Sequence, residues 1–211
     1  KNECWQQIHN VVDDFFYQPI SPITISPKGE KFRLLHVSCF DEKAKNIQGM
    51  LRAVRKVAED RQDFELVLVG TGVDFEQDIA YAQTLDFPKD MLTFTGEQTP
   101  HEVAQWMQQS DCFLFFSRYE NAPVVLSECL AVGLPIISSN AGGIPEMINH
   151  ECGILVPSED EDALAKALLH MLDRTTIYDI ATIRSYGKQY TYASIGRQLS
   201  ELSQGLIVSS H

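Results

Sequence analysis

From Lys31 onward, short apolar runs rich in β-branched and aromatic residues alternate with longer amphipathic stretches. The runs are FRLLHVS (Phe32 to Ser38), FELVLVG (Phe64 to Gly70), MLTFTG (Met91 to Gly96), DCFLFFS (Asp111 to Ser117), PIISS (Pro135 to Ser139) and GILV (Gly153 to Val156). Each has the length and residue preference of a strand. Their hydrophobicity is nearly continuous instead of alternating, as expected of strands covered on both faces, and hence of a parallel sheet with crossover helices. The stretches between supply the helices. Ile47, Leu51, Val54 and Val57 recur at helical spacing, as do Val103, Trp106 and Met107 after Pro100, and Leu164, Leu168, Met171 and Leu172 after SEDED. The acidic residues Glu159 to Asp162 suit a helix amino end, where carboxylates meet the positive pole of the dipole. A last stretch, Tyr190 to Ile207, carries weaker helical signals. The pattern predicts an α/β fold, a doubly wound, Rossmann-like parallel sheet of about six strands.

The first thirty residues differ. Pro19, Pro22 and Pro27 space out WQQIHNVVDDFFYQPISPITISPKGE, which reads as a linker or extended edge segment over residues 1–30, with the compact domain over 31–211.

Composition changes the picture only by exclusion. Of 211 residues 44% are hydrophobic and 22% charged, ordinary values for a chain with a sizeable core. No run approaches the roughly 18 apolar residues of a bilayer crossing, and no stretch of these residues has the pattern of a secretory leader, so the expectation is a cytoplasmic chain, at most peripheral to the inner face of the membrane. The sequence opens KNECW without Met, which leaves room for a missing upstream domain. Cys4, Cys39, Cys112, Cys129 and Cys152 are an odd set without C-x-x-C spacing, and are expected to be buried, reduced thiols. A net charge of -12 argues against nucleic acid as a partner.

A doubly wound sheet binds its ligand beyond the carboxyl ends of its strands, so the loops there hold the candidate chemistry. The turn Gly70 to Gly72 lacks the third glycine and the later acid of a dinucleotide fingerprint, which disfavours nicotinamide. After the fourth run, RYENAPVVLSE suggests a helix over Ala122 to Val132, with Asn121 or Ala122 as cap, Pro123 in the first turn and Gly133 at the end. Its amino end would meet an anion such as phosphate. Glu128, about 8 Å along the axis, could then accept from the vicinal hydroxyls of a ribose, while Glu120 stays on the loop beside the rest of the ligand. The alternative has Glu120 capping the helix and Glu128 pairing with a surface lysine. In the fifth loop, Gly142-Gly143 allows a sharp turn and Pro145-Glu146 opens a short helix.

With these residues in hand, the chain resembles the retaining, nucleotide-sugar-dependent glycosyltransferases of group 1, also called family 4, which have the GT-B fold. SRYENAPVVLSECLAVGLPIISSNAGGIPEMI is similar to the family's glutamate pair with seven residues between, followed by A-x-G-x-P and G-G-x-P-E. Likeness extends over Phe32 to Asp173, and IHNVVD (Ile8 to Asp13) is similar to the family's approach to this domain. The resemblance implies the donor-binding half of an enzyme of carbohydrate biosynthesis, whose acceptor-binding half lies upstream of Lys1. It implies Glu120 and Lys45 as catalytic residues. Glu128 would hold the donor ribose, backbone at Gly96 and Glu97 would meet the base, and Asn121, Ala122, Pro123, Val124, Gly142 and Gly143 would complete the donor site. The nucleoside diphosphate sugar is a substrate, with no cofactor and no metal expected, and the acceptor would be a glycan or lipid-linked glycan held by the missing domain. The nucleotide, the sugar and the acceptor stay open.

One departure stands out. Where the family has an arginine at the end of the first strand, this chain has Cys39. Either Lys43 or Lys45 takes over its charge, or stabilisation of the diphosphate is weaker. Arg118 would add positive charge or pair with Glu120. His101-Glu102 lacks the second histidine of a zinc motif, so Glu102 reads as a first-turn residue, and His9 reads as structural. The rivals are a nucleotide-sugar epimerase or hydrolase of the same fold and a non-catalytic nucleotide-sugar-binding module.

Overall fold

The structure, a computed structural model, describes residues 8–208. The strands are β1 (Phe32–Val37), β2 (Phe64–Val69), β3 (Leu92–Gly96), β4 (Cys112–Phe115), β5 (Ile136–Ser139) and β6 (Gly153–Val156). They form one sheet in the order β3-β2-β1-β4-β5-β6, every pairing parallel. The helices are α1 (Glu42–Lys45), α2 (Ile47–Val57), α3 (Phe75–Thr84), α4 (Pro100–Gln108), α5 (Val124–Val132), α6 (Ile144–Met147), α7 (Glu161–Leu172), α8 (Ile180–Gly187) and α9 (Tyr192–Val208). The expected α/β class is therefore the observed one.

Continuous hydrophobicity in the strands has the anticipated cause. Leu34, Leu66, Leu68, Cys112 and Leu114 face one core with α2 and α7, while Leu35, Val67, Val69, Phe113 and Phe115 face a second core with α4, α5 and α8. Neighbours in sequence thus point into different apolar layers, as the period of two demands. Truncating any of the buried leucines or phenylalanines among them to alanine would cost about 3 kcal/mol.

Helix starts follow local chemistry. Thr99 and Glu102 form a reciprocal capping box ahead of Pro100, so Glu102 is a first-turn residue as expected. Asp160 caps α7 by accepting from Ala163 N at 2.8 Å, in agreement with the capping role of the acidic run. α5 begins two residues later than the expected Ala122. A residue before proline is driven out of the helical region, and Pro123 itself is extended (φ -66°, ψ 116°), so it becomes the cap, with no side chain serving the helix end.

Residues 8–31 run along the domain surface instead of hanging free. Val12 and Phe16 are buried, the latter in a 3₁₀ turn over Asp14–Tyr17. Gln105 Oε1 accepts from Thr24 N at 2.9 Å, its amide donates to the Pro22 carbonyl at 3.0 Å, and Gln108 donates to the Gln18 carbonyl at 2.7 Å. Gln109 Oε1 accepts from Lys28 N at 3.0 Å, so three glutamines on and just after α4 fasten the segment. His9 packs edge-on against Tyr190, ring centroids 5.2 Å apart, which fits a structural role.

Candidate functional site

Strand order reverses between β1 and β4, so the loops leaving these two strands diverge and open a crevice at the carboxyl edge of the sheet. In the β1 loop, Asp41 caps α1, and Asn46, left-handed at φ 54°, ends it and turns the chain into α2. Lys45 is the last residue of this one-turn helix. The β4 loop is pinned against it: Arg118 N donates to the Ala44 carbonyl at 2.7 Å. The Arg118 guanidinium donates to the Glu42 carbonyl, to Asn46 Oδ1 at 2.6 Å and to Glu159 at 2.7 Å. Arg118 therefore does not pair with Glu120; its planar fork of donors is committed to tying α1 and the start of α7 to the β4 loop.

That clamp sets Lys45 opposite Glu120, Nζ to Oε1 2.5 Å, with side chains only 16% and 8% exposed. The ammonium also lies 5.4 Å from the Phe115 ring centroid. Behind Glu120 the backbone is braced by the β5 loop. Gly142 has φ 53°, and a Cβ there would stand 1.7 Å from the Glu120 carbonyl oxygen; one on Gly143 would stand 2.1 Å from that of Asn121. These glycines serve close approach of one loop to another, and not only the sharp turn expected of them.

Glu128 projects from α5, whose Leu126, Ser127, Cys129, Leu130, Ala131 and Val132 are all buried. No donor among the described residues bonds the Glu128 carboxylate, and burial, with the nearby negative charge of Asp13, pushes its pKa up to about 7. It neither pairs with a surface lysine nor does Glu120 cap the helix, so both alternatives are set aside. Instead Lys45, Glu120 and Glu128 line one cavity of ≈ 330 Å³, together with Ser38, Phe16 and Gln98. Pro123 and Val124, at the uncapped amino end of α5, line it too.

The remaining expected residues divide. Asn121 and Gly142 line an adjoining concavity of ≈ 380 Å³ with Arg118, Tyr119 and Glu120. Gly96, Glu97, Ala122 and Gly143 line neither, and on the β3 loop it is Gln98 that reaches the cavity. Lys43 is exposed and outside both, so the cation of the β1 loop is Lys45. Cys39 is exposed as well, against the expectation of a buried thiol, because it sits on the loop beyond β1; Cys112, Cys129 and Cys152 are buried and unpaired, and Cys4 lies outside the described residues. Ser38, Phe16 and Gln98 were missed. Ser38 had a signal, as the polar residue that closes the first apolar run; Phe16 comes from a distant segment and had none. Among the described residues, no three His, Cys, Asp or Glu side chains form a group able to hold a metal ion, and no helix is long and apolar enough to cross a membrane.

The sequence model of the family described as glycosyl transferases group 1 matches residues 31–174. The chain belongs to this family. Among curated relatives, N-acetyl-alpha-D-glucosaminyl L-malate synthase of Bacillus anthracis is 30% identical over 81% of this chain and 45% of its own length. The amylovoran biosynthesis glycosyltransferase AmsK of Erwinia amylovora is 33% identical over 67% of this chain and 36% of its own. The chain thus spans less than half of either relative. In structure, this group 1 chain is similar to Anabaena Alr3699/HepE in complex with UDP, with TM-score 0.79 and 19% identity over 94% of this chain and 57% of that one. It is similar also to the lipopolysaccharide outer core galactosyltransferase WaaB in its apo form, with TM-score 0.72 and 22% identity over 88% and 53% of the two chains. At such identities the likeness shows the GT-B fold. A larger cavity of ≈ 610 Å³ lies at the other end of the group 1 domain, lined by Phe32, Asp111 and Pro135 at the starts of β1, β4 and β5.

Proposed function

We propose that this chain is the donor-binding half of a retaining glycosyltransferase that moves a sugar from a nucleoside diphosphate to an acceptor held by a second domain. The observation that carries this reading is the shared cavity of Lys45, Glu120 and Glu128 at the strand-order reversal. Each group has a task suited to its surroundings. A carboxylate without an internal donor, as at Glu128, satisfies its lone pairs by accepting from the two vicinal hydroxyls of a ribose. The uncapped amino end of α5 supplies free N–H groups and a partial positive charge for phosphate. Lys45 spends one of its three protons on Glu120 and keeps two for the diphosphate, where negative charge grows as the bond to the sugar breaks. Glu120 holds that ammonium in place and faces the transferred sugar. The net charge of -12 does not oppose a dianionic ligand here, because a fixed cation a few ångströms away outweighs screened charges beyond about 10 Å.

Titration of the protein with the diphosphates of uridine, guanosine and adenosine and with their sugars tests the reading. One nucleotide should raise the melting temperature as RT ln(1 + [L]/Kd) requires, and the Glu128→Ala variant should lose that response. Wild type that ignores every nucleotide would overturn it. A second reading, a module that binds a nucleotide sugar without turning it over, draws on exposed Cys39 at the place of the family's arginine. Turnover of the intact two-domain protein, measured as release of free nucleotide in the presence of acceptor, separates the two.

A further inference from the structure

We propose that Ser38 is a specificity-determining residue of the nucleotide-sugar site, presenting to the ligand a hydroxyl oxygen that can only accept a hydrogen bond. The inference rests on the donor-site reading and adds to it what one wall of the cavity selects.

β1 and β4 are in register only at Leu34–Cys112 and Leu35–Phe113, and then part. His36 stands where they separate. It is fully buried, with the Phe113 and Phe115 rings 6.4 and 5.9 Å away and Phe40 edge-on at 6.3 Å. Its Nδ1 lies 2.8 Å from the Leu114 carbonyl oxygen and its Nε2 lies 2.7 Å from Ser38 Oγ. A carbonyl oxygen has no proton to give, so the hydrogen of that contact belongs to Nδ1. A second proton on the ring would create a cation among aromatic side chains and near Lys45; burial first, and that ammonium in addition, hold the pKa down at about 4 despite the Leu114 bond. The neutral ring therefore has a bare Nε2, and the single proton of the Ser38 hydroxyl is donated to it.

What Ser38 Oγ has left for the cavity is lone pairs. An untethered serine rotates to become donor or acceptor as the ligand requires, whereas this one is tied from behind. Phosphate oxygens, which only accept at neutral pH, gain nothing at Ser38 and are directed to Lys45 and the amino end of α5. The ligand group that meets Ser38 is a hydroxyl or an amide N–H, on the nucleoside or on the sugar.

Binding of UDP, UDP-glucose, GDP and ADP to wild type, Ser38→Ala and Ser38→Thr, by calorimetry, tests this. Ser38→Ala should bind the accepted nucleotide about tenfold more weakly, as expected when a ligand donor loses its acceptor, and Ser38→Thr should restore binding. Equal losses with UDP and UDP-glucose put the donor on the nucleoside; a loss confined to UDP-glucose puts it on the sugar, and either supports the proposal. Wild type that takes none of the probes overturns the donor-site reading and this inference with it, while nucleotide binding unchanged in Ser38→Ala overturns the inference alone. Histidine-selective 15N NMR of the unliganded protein gives an independent check. Neutral His36 protonated at Nδ1 at pH 6 is expected, and a ring carrying hydrogen on Nε2 would overturn the proposal.

Discussion

Lys45 Nζ and Glu120 Oε1 stand 2.5 Å apart although 75 positions separate them in the chain. The pair joins the two loops that diverge at the strand-order reversal, and neither side chain is more than 16% exposed. Removing either partner leaves the other half-desolvated, so Lys45→Ala and Glu120→Ala should each lose about 2 kcal/mol of stability, less than a fully buried pair would. The double variant should lose much less than the sum. Denaturant unfolding of the four proteins of the cycle measures this, and additive losses would mean that the ion pair has no energetic weight. On the proposed donor-site reading, Lys45→Ala in the full-length protein should lower kcat about a hundredfold, the usual loss of one fixed charge at a leaving group.

Glu128 predicts a pH dependence. Its folded pKa is raised to about 7 from an ordinary 4.5, so the folded state favours the protonated form. The stability from this group is fully present below pH 4.5 and is lost as pH rises through about 7. The full shift corresponds to roughly 3 kcal/mol, less after allowance for the solvent that reaches the carboxylate. Chemical denaturation of wild type should show a decline between pH 5 and 8 that Glu128→Gln flattens. Parallel curves would show that Glu128 does not titrate abnormally.

Gly142 and Gly96 make a matched pair. Both have positive φ, 53° and 72°, but a Cβ on Gly142 meets the Glu120 carbonyl oxygen at 1.7 Å and one on Gly96 meets nothing within 4 Å. Gly96→Ala should therefore cost only the conformational strain, about 1 kcal/mol. Gly142→Ala should cost clearly more and should weaken nucleotide binding, because the Glu120 loop must move. Thermal unfolding with and without nucleotide distinguishes these, and equal effects of the two substitutions would refute a bracing role for Gly142.

Arg118 should prove a positioning residue. Its guanidinium holds the Glu42 carbonyl, Asn46 and Glu159 at once, and a lysine has neither the reach nor the flat geometry to replace three such contacts. Arg118→Lys is expected to cut kcat at least tenfold in the intact enzyme while KM for the donor changes little, since Lys45 would be displaced without being removed. A KM effect with unchanged kcat would assign Arg118 to ligand binding.

How much of this was legible in the sequence depends on the range of the interaction. Strands such as Phe64–Val69 and helices such as Ile47–Val57 are written in local hydrophobic patterns, and they are found where the pattern put them. α3 and α8 left weaker traces because few of their residues face a core: only Asp78 and Ala82 of α3, and Ile183 and Gly187 of α8, are buried. Glu120 and Glu128 were readable from the loop and helix that follow the fourth apolar run, and Lys45 through the family resemblance. The partner of Arg118 was not, because a guanidinium near several acids chooses by geometry, and Glu159 lies 41 positions away. Nor was the docking of residues 8–31, since glutamines on a helix face carry no pattern that names the backbone they will hold.

That docking has a practical bearing on the behaviour of the molecule. The fasteners Gln105, Gln108 and Gln109 are neutral amides bonded to main-chain groups, with Lys28–Asp111 as a peripheral ion pair. Molar sodium chloride, which quenches exposed pairs such as Arg52–Glu161, leaves amide contacts nearly untouched. The leading segment should accordingly stay protected from proteases in brine as well as in dilute buffer.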